Sequence, residues 1–436
     1  MKKLLMVLVA IMMTLSFVGC TEETTTTAVT TAGATTEAMG SLRILQNKVE
    51  IGDVLTTYAE AWGVANNVDV EVVTCGGDGC AYGDNLLIEF QGTTQPDIFV
   101  IEGMGGYNDY KDYLIPMTGE AWLTDTDLEF VVDGTAYGFP VAVEGWGMGY
   151  NKEILTAAGV DASTLTTIAG YQAAFTAIQA YYDANNMDDY ALVSMAAAGA
   201  GMSWVTGLHN FNGYLSSGLD YDDSSVIDDL NNATVNTARM AAYADWVELL
   251  FDNADTTILE TGDYDAQVGK FASGKAAFIH QGNWIDPNLV QYFDDNADSE
   301  FEMGYAPHAA AAGVNDSIFV SAPSYYCINS QSDNITIAKA FLQDLASTTA
   351  GHEYMVNEAK MIPAFKSVTL VPTNPLSAAV AEWMASGNIY AWWQNDMPSG
   401  FGMNTLGPIY ANYATGLITK AQFIEQMTTE IEEIND

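Results

Sequence analysis

Basic side chains are scarce. Thirteen Lys and Arg stand against fifty-six Asp and Glu in 436 residues, a formal net charge of -43 with histidine neutral. So acidic a surface repels polyanions at long range, which excludes nucleic acid as a partner and disfavours phosphate or sulfate as a solute. The same imbalance also keeps a protein dispersed in salty surroundings, so charge alone does not identify a ligand. Histidine is thin as well: His209, His280, His308 and His352 are scattered, without a His-Glu-x-x-His zinc motif, and no Gly-x-Ser-x-Gly elbow offers a nucleophile. Beyond the first twenty residues no apolar run reaches the length of a membrane helix, and no internal repeat is visible.

Two weak signals are set aside. Gly269 to Ala276 has the outline of a phosphate loop, but Ala276 stands where the magnesium-binding hydroxyl belongs and the segment leads into a strand instead of a helix. Residues 220–229 are acidic without the Asp-x-Asp-x-Asp-Gly loop of a calcium site, and read as a solvated turn. No metal and no cofactor are expected.

The amino terminus reads as a secretion signal. Lys2 and Lys3 precede an apolar stretch over residues 4–17, too short for a permanent span. Phe17-Val18-Gly19-Cys20 resembles a lipobox, which implies cleavage after residue 19 and a lipid on Cys20. Residues 24–36 are rich in Thr and Ala and carry almost nothing to bury, so 20–40 is expected to be a disordered tether. Outside the cell, Cys75 and Cys80 around Gly-Gly-Asp-Gly read as a small disulfide-closed loop, a two-Cys metal site being the weaker alternative. Cys327 is left as a small buried apolar residue.

About 400 residues follow the tether, enough for two lobes. Residues 43–46, 68–73 and 96–101 read as strands, with helices over 53–62 and 85–90 between them. This β-α-β-α-β alternation implies a parallel sheet with helices on both faces. Ligands in such sheets sit at the carboxyl ends of strands, which points to residues 46–50, 75–82 and 102–106 as binding loops. Further on, helices are expected over 171–185, 239–251 and 335–345, a buried strand over 276–279, and one strand over 317–328. Trp62, Trp246 and Trp383 fall at helical spacing and read as core.

The most telling stretch is residues 133–159. Asp133-Gly134 reads as a hairpin turn and 139–143 as a short buried strand; glycines then punctuate Glu144-Gly-Trp-Gly-Met-Gly149 before Tyr150-Asn151-Lys152 opens a helix. The pattern suits a glycine-spaced, flexible hinge carrying an acid and an indole. Pro140, Ala142-Val143-Glu144 and Tyr150-Asn151-Lys152 closely resemble the extracellular solute-binding proteins of ABC importers, in the carbohydrate-binding branch that is maltose-binding-protein-like. Pro96-Asp97-Ile98, the run Phe271 to Phe278 through Gly282-Asn283-Trp284, Gly351-His352-Glu353-Tyr354 and the closing helix near 416–427 match the same family in the same order.

The resemblance implies an α/β, two-lobe periplasmic-binding-protein-like fold of type II. Each lobe would be a mostly parallel sheet flanked by helices, with the ligand cleft between them. Lobe 1 would comprise 41–143 and 303–360, lobe 2 144–302 and 361–436. It further implies a lipid-anchored monomer on the outer face of the cytoplasmic membrane, delivering a sugar to a permease.

Sugars offer apolar C–H faces to aromatic rings and hydroxyls to carboxylates and amides. Trp284, just past a glycine at a strand end, is the expected platform, with Asn283 beside it. Glu144 matches the family's hinge acid, Glu102 follows the third strand, and Glu50 precedes the first helix, where a carboxylate also complements the helix N-terminus. Trp146 flanks the hinge, and Trp392 and Phe401 are late aromatics of the kind the family places over sugar. Two other readings stay open: a cationic solute such as a polyamine, held by carboxylates and rings, and a secreted glycosidase using paired acids.

Overall fold

In the computed structural model, which describes residues 40–76, 80–296 and 300–435, the opening alternation forms as the pattern predicts. The leader, Cys20 and the Thr-rich tether lie outside the described residues. The strands are β1 (Ser41–Gln46), β2 (Asp69–Thr74), β3 (Ile98–Glu102), β4 (Phe130–Val132), β5 (Thr135–Pro140) and β6 (Glu144–Asn151). After them come β7 (Ala191–Ser194), β8 (Ala276–Gly282), β9 (Met303–Ala306), β10 (Ile318–Ser321), β11 (Ser324–Ile328) and β12 (Ile389–Tyr390).

Helix α1 (Gly52–Asn66) joins β1 to β2 and buries Leu55, Ala59 and Trp62 on one stripe. It stops where Asn67 turns left-handed (φ 55°) and donates to the Gly63 carbonyl. Helix α2 (Tyr82–Gln91) joins β2 to β3, and α3 (Gly103–Tyr110) follows β3 directly. The loop from β2 to α2 is closed by a Cys75–Cys80 disulfide with Cα atoms 5.3 Å apart, and Cys327 is buried and unpaired. Asp133 and Gly134, both with positive φ, make the two-residue turn between β4 and β5.

The strands assemble into two six-stranded sheets, ordered β2-β1-β3-β11-β5-β4 and β12-β10-β6-β8-β7 with β9 also on β6. Both sheets are mixed, where mostly parallel sheets were expected. Only β1–β2, β1–β3, β10–β12 and β7–β8 run parallel. Apart from the β4–β5 hairpin, the antiparallel pairs involve strands that enter from the other sheet: β11 against β3 and β5, and β6 against β8, β9 and β10. No crossover helix of their own reverses them, so they run against the strands they join.

Residues 144–149, expected to be a flexible hinge, and 150–151, expected to open a helix, together form the central strand of the second sheet and are almost wholly buried. Their glycines serve packing. A Cβ on Gly147 would lie 2.6 Å from the Ala306 carbonyl oxygen, and one on Gly145 2.6 Å from Val380 Cγ1. The chain crosses between sheets just upstream, at Val141 to Val143, where the Val143 amide donates to Ile362 across the second crossing (2.9 Å). The return expected near residue 303 lies later. Both β9 and β10 pair with β6, and only past Ala322-Pro323 does β11 rejoin the first sheet. The apolar run over 317–328 suits a strand in either sheet, and Pro323 is what divides it.

Helix α4 (Lys152–Ala157) begins where the Asn151 side chain accepts from the Glu153 and Ile154 amides (2.9 and 3.1 Å). Helix α5 (Ile168–Asn185) packs on the second sheet, the helix Thr237–Asp252 on α5 and the helix Lys420–Glu432 on that one, around a core that holds Tyr171, Tyr243 and Trp246. Trp62 and Trp246 are core, while Trp383 is half-buried and donates to the Tyr305 carbonyl (3.2 Å). No helix among the described residues is long and apolar enough to cross a membrane.

Candidate functional site

At the carboxyl end of β1 the buried Gln46 accepts from the Lys48 amide (2.6 Å) and donates to the Lys48 carbonyl (2.9 Å) and to Thr74 Oγ1 (2.6 Å). That clamp holds Lys48 at the tip of the first sheet. Its ammonium donates to Glu144 Oε1 at the head of β6, and Glu50 Oε1 lies 3.9 Å away. Glu102, at the end of β3, accepts from Asn47 Nδ2 (2.9 Å). One cation thus sits among three carboxylates drawn from three strand ends and both sheets.

The surroundings tune these charges. Burial by itself lowers the affinity of Lys48 for its proton, but Glu144 and Glu50 outweigh it and the ammonium titrates above its ordinary range. Burial pushes the Glu50 carboxyl up, with Lys48 pulling it back and Glu144 adding to the rise. Desolvation also pushes Glu102 up, against Lys48 and the Asn47 hydrogen bond. Glu102 is exposed over the residue as a whole, so this rise comes from the protein atoms crowding its carboxyl.

On the other side of the cleft β8 ends in Gly282, and a short 3-10 turn, Asn283–Ile285, carries Trp284. The indole folds back over Gly282, where a Cβ would come within 2.1 Å of the ring. It is half-buried, with His209 4.8 Å away and Trp392 edge-on at 6.1 Å and 87°. Trp284 lines the cleft, whereas Trp392, expected there as well, is buried in a cluster with Trp146, Phe319 and Tyr390 against which Trp284 packs. The Trp392 indole nitrogen is buried without a hydrogen-bond partner.

Glu50, Glu144, Asn283 and Trp284 line one small cavity together with Lys48 and Lys360. Its internal volume is about 20 Å³. That is room for a water molecule and far too little for a sugar ring, so the two halves stand closed on each other. A second contact agrees: Gly103 at the start of α3 (φ +54°) lies where a Cβ would meet Asn395 of the 393–396 turn at 2.5 Å.

Several expected site residues do other work. Both ends of the Asn283 amide are engaged, accepting from the Gly145 amide (2.8 Å) and donating to Ser377 Oγ (3.1 Å). Its polar atoms hold β6 to the helix Pro375–Ser386. Trp146 is fully buried and stacked on Phe319 (4.1 Å), in the core cluster that also holds Trp392, instead of lining the cleft. Phe401 is core of the second half, packed with Met397 and Leu406. Side chains 144 and 146 share a face of β6, but His209, His280, His308 and Phe319 enclose the Trp146 ring while Glu144, at the strand's start, reaches the cleft.

Lys48 and His209 were missed. Lys48 was legible, being the one cation in the predicted loop at 46–50. His209 sits on a π-helical turn, Val205–Asn210, with no signal in its neighbours. It joins His280 and His308 around Trp146, at 5.4, 5.6 and 4.9 Å. Burial holds all three imidazoles neutral, His280 pushed down to about 4.

Residues 57–386 match the model of the bacterial extracellular solute-binding protein family, well over half of the chain. No curated protein matches significantly. Among solved structures, a chitin oligosaccharide binding protein superposes with TM-score 0.72 at 18% identity, over 90% of this chain and 98% of its own. RafE in complex with raffinose gives 0.72 at 14%, over 91% and 100%. A sugar transporter from Bacillus licheniformis in complex with stachyose gives 0.69 at 17%, again over 91% and 100%. At such identities these likenesses establish the two-lobe fold.

Proposed function

We propose, because the chain belongs to the bacterial extracellular solute-binding protein family, that it captures a carbohydrate between its two halves and delivers it to the membrane subunits of an ABC importer. The observation carrying this reading is that Trp284 shares one cavity with Lys48, Glu50 and Glu144. Stacking surface for C–H faces and charged hydrogen-bonding groups for hydroxyls are the two things a sugar needs. Structural neighbours that bind chitin oligosaccharide, raffinose and stachyose support the same class. Closure about residues 141–143, 322–323 and 359–363 would bury the ligand from both sides, and its preference for the closed form would signal loading. The same reading has Cys20 carrying lipid, and the protein acting as a monomer at the outer face of the cytoplasmic membrane.

One observation favours a second reading. Three carboxylates surround a single ammonium, an arrangement that also accommodates a cationic solute such as a polyamine in place of Lys48. A melting screen with raffinose, stachyose, chitotriose and spermidine separates them, because a ligand bound only by the folded state raises the melting point. A sugar is expected to stabilise equally at low and high salt. Stabilisation by spermidine alone, fading with salt, overturns the carbohydrate reading.

A further inference from the structure

The orientation of Trp284 is set by a relay of two buried glutamines. Gln267 Nε2 donates to two backbone carbonyls, of Ser194 (3.2 Å) and His280 (3.0 Å). Only the amide nitrogen can do this, so its Oε1 must face Gln281, whose Nε2 donates to it (3.2 Å). Gln281 is thereby forced to turn its own Oε1 to the Trp284 indole, which donates at 2.8 Å. Gln267 and Gln281 are 0% and 2% exposed, so water does not compete for these bonds. Gly282 leaves no Cβ under the ring, and His209 stands beside it.

We propose that Gln281, oriented by Gln267, is a positioning residue for ligand capture. It consumes the indole N–H and fixes the ring about its side-chain torsions, so that Trp284 presents a π-face and no donor. The inference rests on the carbohydrate reading of Trp284. It adds a statement about recognition: the platform selects the apolar face of a sugar ring, and hydroxyl recognition falls to Lys48 and the cleft carboxylates.

The test joins a ligand-free readout to a binding one. In wild-type protein the Trp284 indole proton, followed by ¹⁵N nuclear magnetic resonance, is expected to resist exchange with solvent; in Gln281→Met that protection is lost. Calorimetric titration with raffinose, or with whichever oligosaccharide of the melting screen binds best, is expected to show Gln281→Met about tenfold weaker. In a Trp284→Phe background, which keeps a ring and removes the N–H, the same substitution is expected to change affinity less than about twofold. Gln281→Glu guards against a folding defect, since a protonated carboxyl both donates to Gln267 and accepts from the indole; it is expected to restore both readouts at pH 5. Unchanged protection in Gln281→Met, or equal weakening in both backgrounds, overturns the positioning role. If sugars bind and Gln281→Met matches wild type, that role alone falls; if no sugar binds wild type, the carbohydrate reading falls with it.

Discussion

Lys48, on the first loop of one sheet, donates its ammonium proton to Glu144, the first residue of the other sheet's central strand. Their side chains are 14% and 9% exposed, and Glu50 and Glu102 carry further negative charge nearby. The crossing between the two halves is thus electrostatically tied at the point where they must move apart.

Removing that cation should leave the three carboxylates repelling one another in a desolvated cleft. Lys48→Met is expected to cost about 3 kcal/mol at pH 8. Glu50 and Glu102 already bind protons more tightly folded than unfolded, and loss of Lys48 widens that gap. For carboxyls raised in this way stability is lost as pH rises through the folded pKa, so the deficit should shrink as pH falls from 8 toward 5. Urea melts at the two pH values check it; a deficit independent of pH contradicts the coupling.

Trp284→Ala should remove the stacking surface from the cleft. A loss of about 2–4 kcal/mol in sugar affinity is expected, the range for a central aromatic contact. The ring is half-buried and sits at the cleft rather than in a core, so folding stability should fall by much less. Calorimetry paired with thermal melts separates the two, and retained affinity would remove Trp284 from the site.

The histidine group makes the fold acid-sensitive. His280 titrates at about 4 in the folded protein, because burial penalises its charged form, against roughly 6.5 unfolded. Between those values the unfolded state binds more protons, so stability falls as pH drops, by about 1.4 kcal/mol per pH unit for this residue. His280→Phe should lessen the slope of unfolding free energy between pH 6.5 and 4.5 by about that amount. Neither imidazole nitrogen bonds another side chain, so the variant should cost little stability at pH 7.

Gly147 lies mid-strand where added volume has nowhere to go. Its would-be Cβ meets a backbone oxygen, which cannot rotate aside as a side chain would. Gly147→Ala is expected to destabilise by about 1–3 kcal/mol, read from the denaturation midpoint. A neutral result would mean that β6 bends here and behaves as the hinge its glycines suggest.

Much of this was legible in the residues. Apolar alternation marked β1, β2 and β3, the Asp133-Gly134 pair marked the hairpin, and the Gly282-Asn283-Trp284 end of β8 marked the indole that faces the cleft. These are local signals, a period of two or a turn needing positive φ, and neighbours in the chain suffice to read them. Pairing partners are not local. The glycine-spaced run beginning at Glu144 looked loose until β8, β9 and β10 were seen on either side of it, and residues 303–321 took their sheet from β6, not from their own composition.

The sequence by itself determined that strands alternate with helices, that an acid stands where β6 begins and that an indole follows a glycine at the end of β8. Only the tertiary structure decided that Lys48 meets Glu144 across 96 residues, that Trp146 lies sealed against Phe319, and that Asn283 braces β6. The physical reason is that burial and charge pairing depend on what packs opposite a side chain. In a chain that crosses between two sheets several times, what lies opposite is contributed by segments far away in sequence.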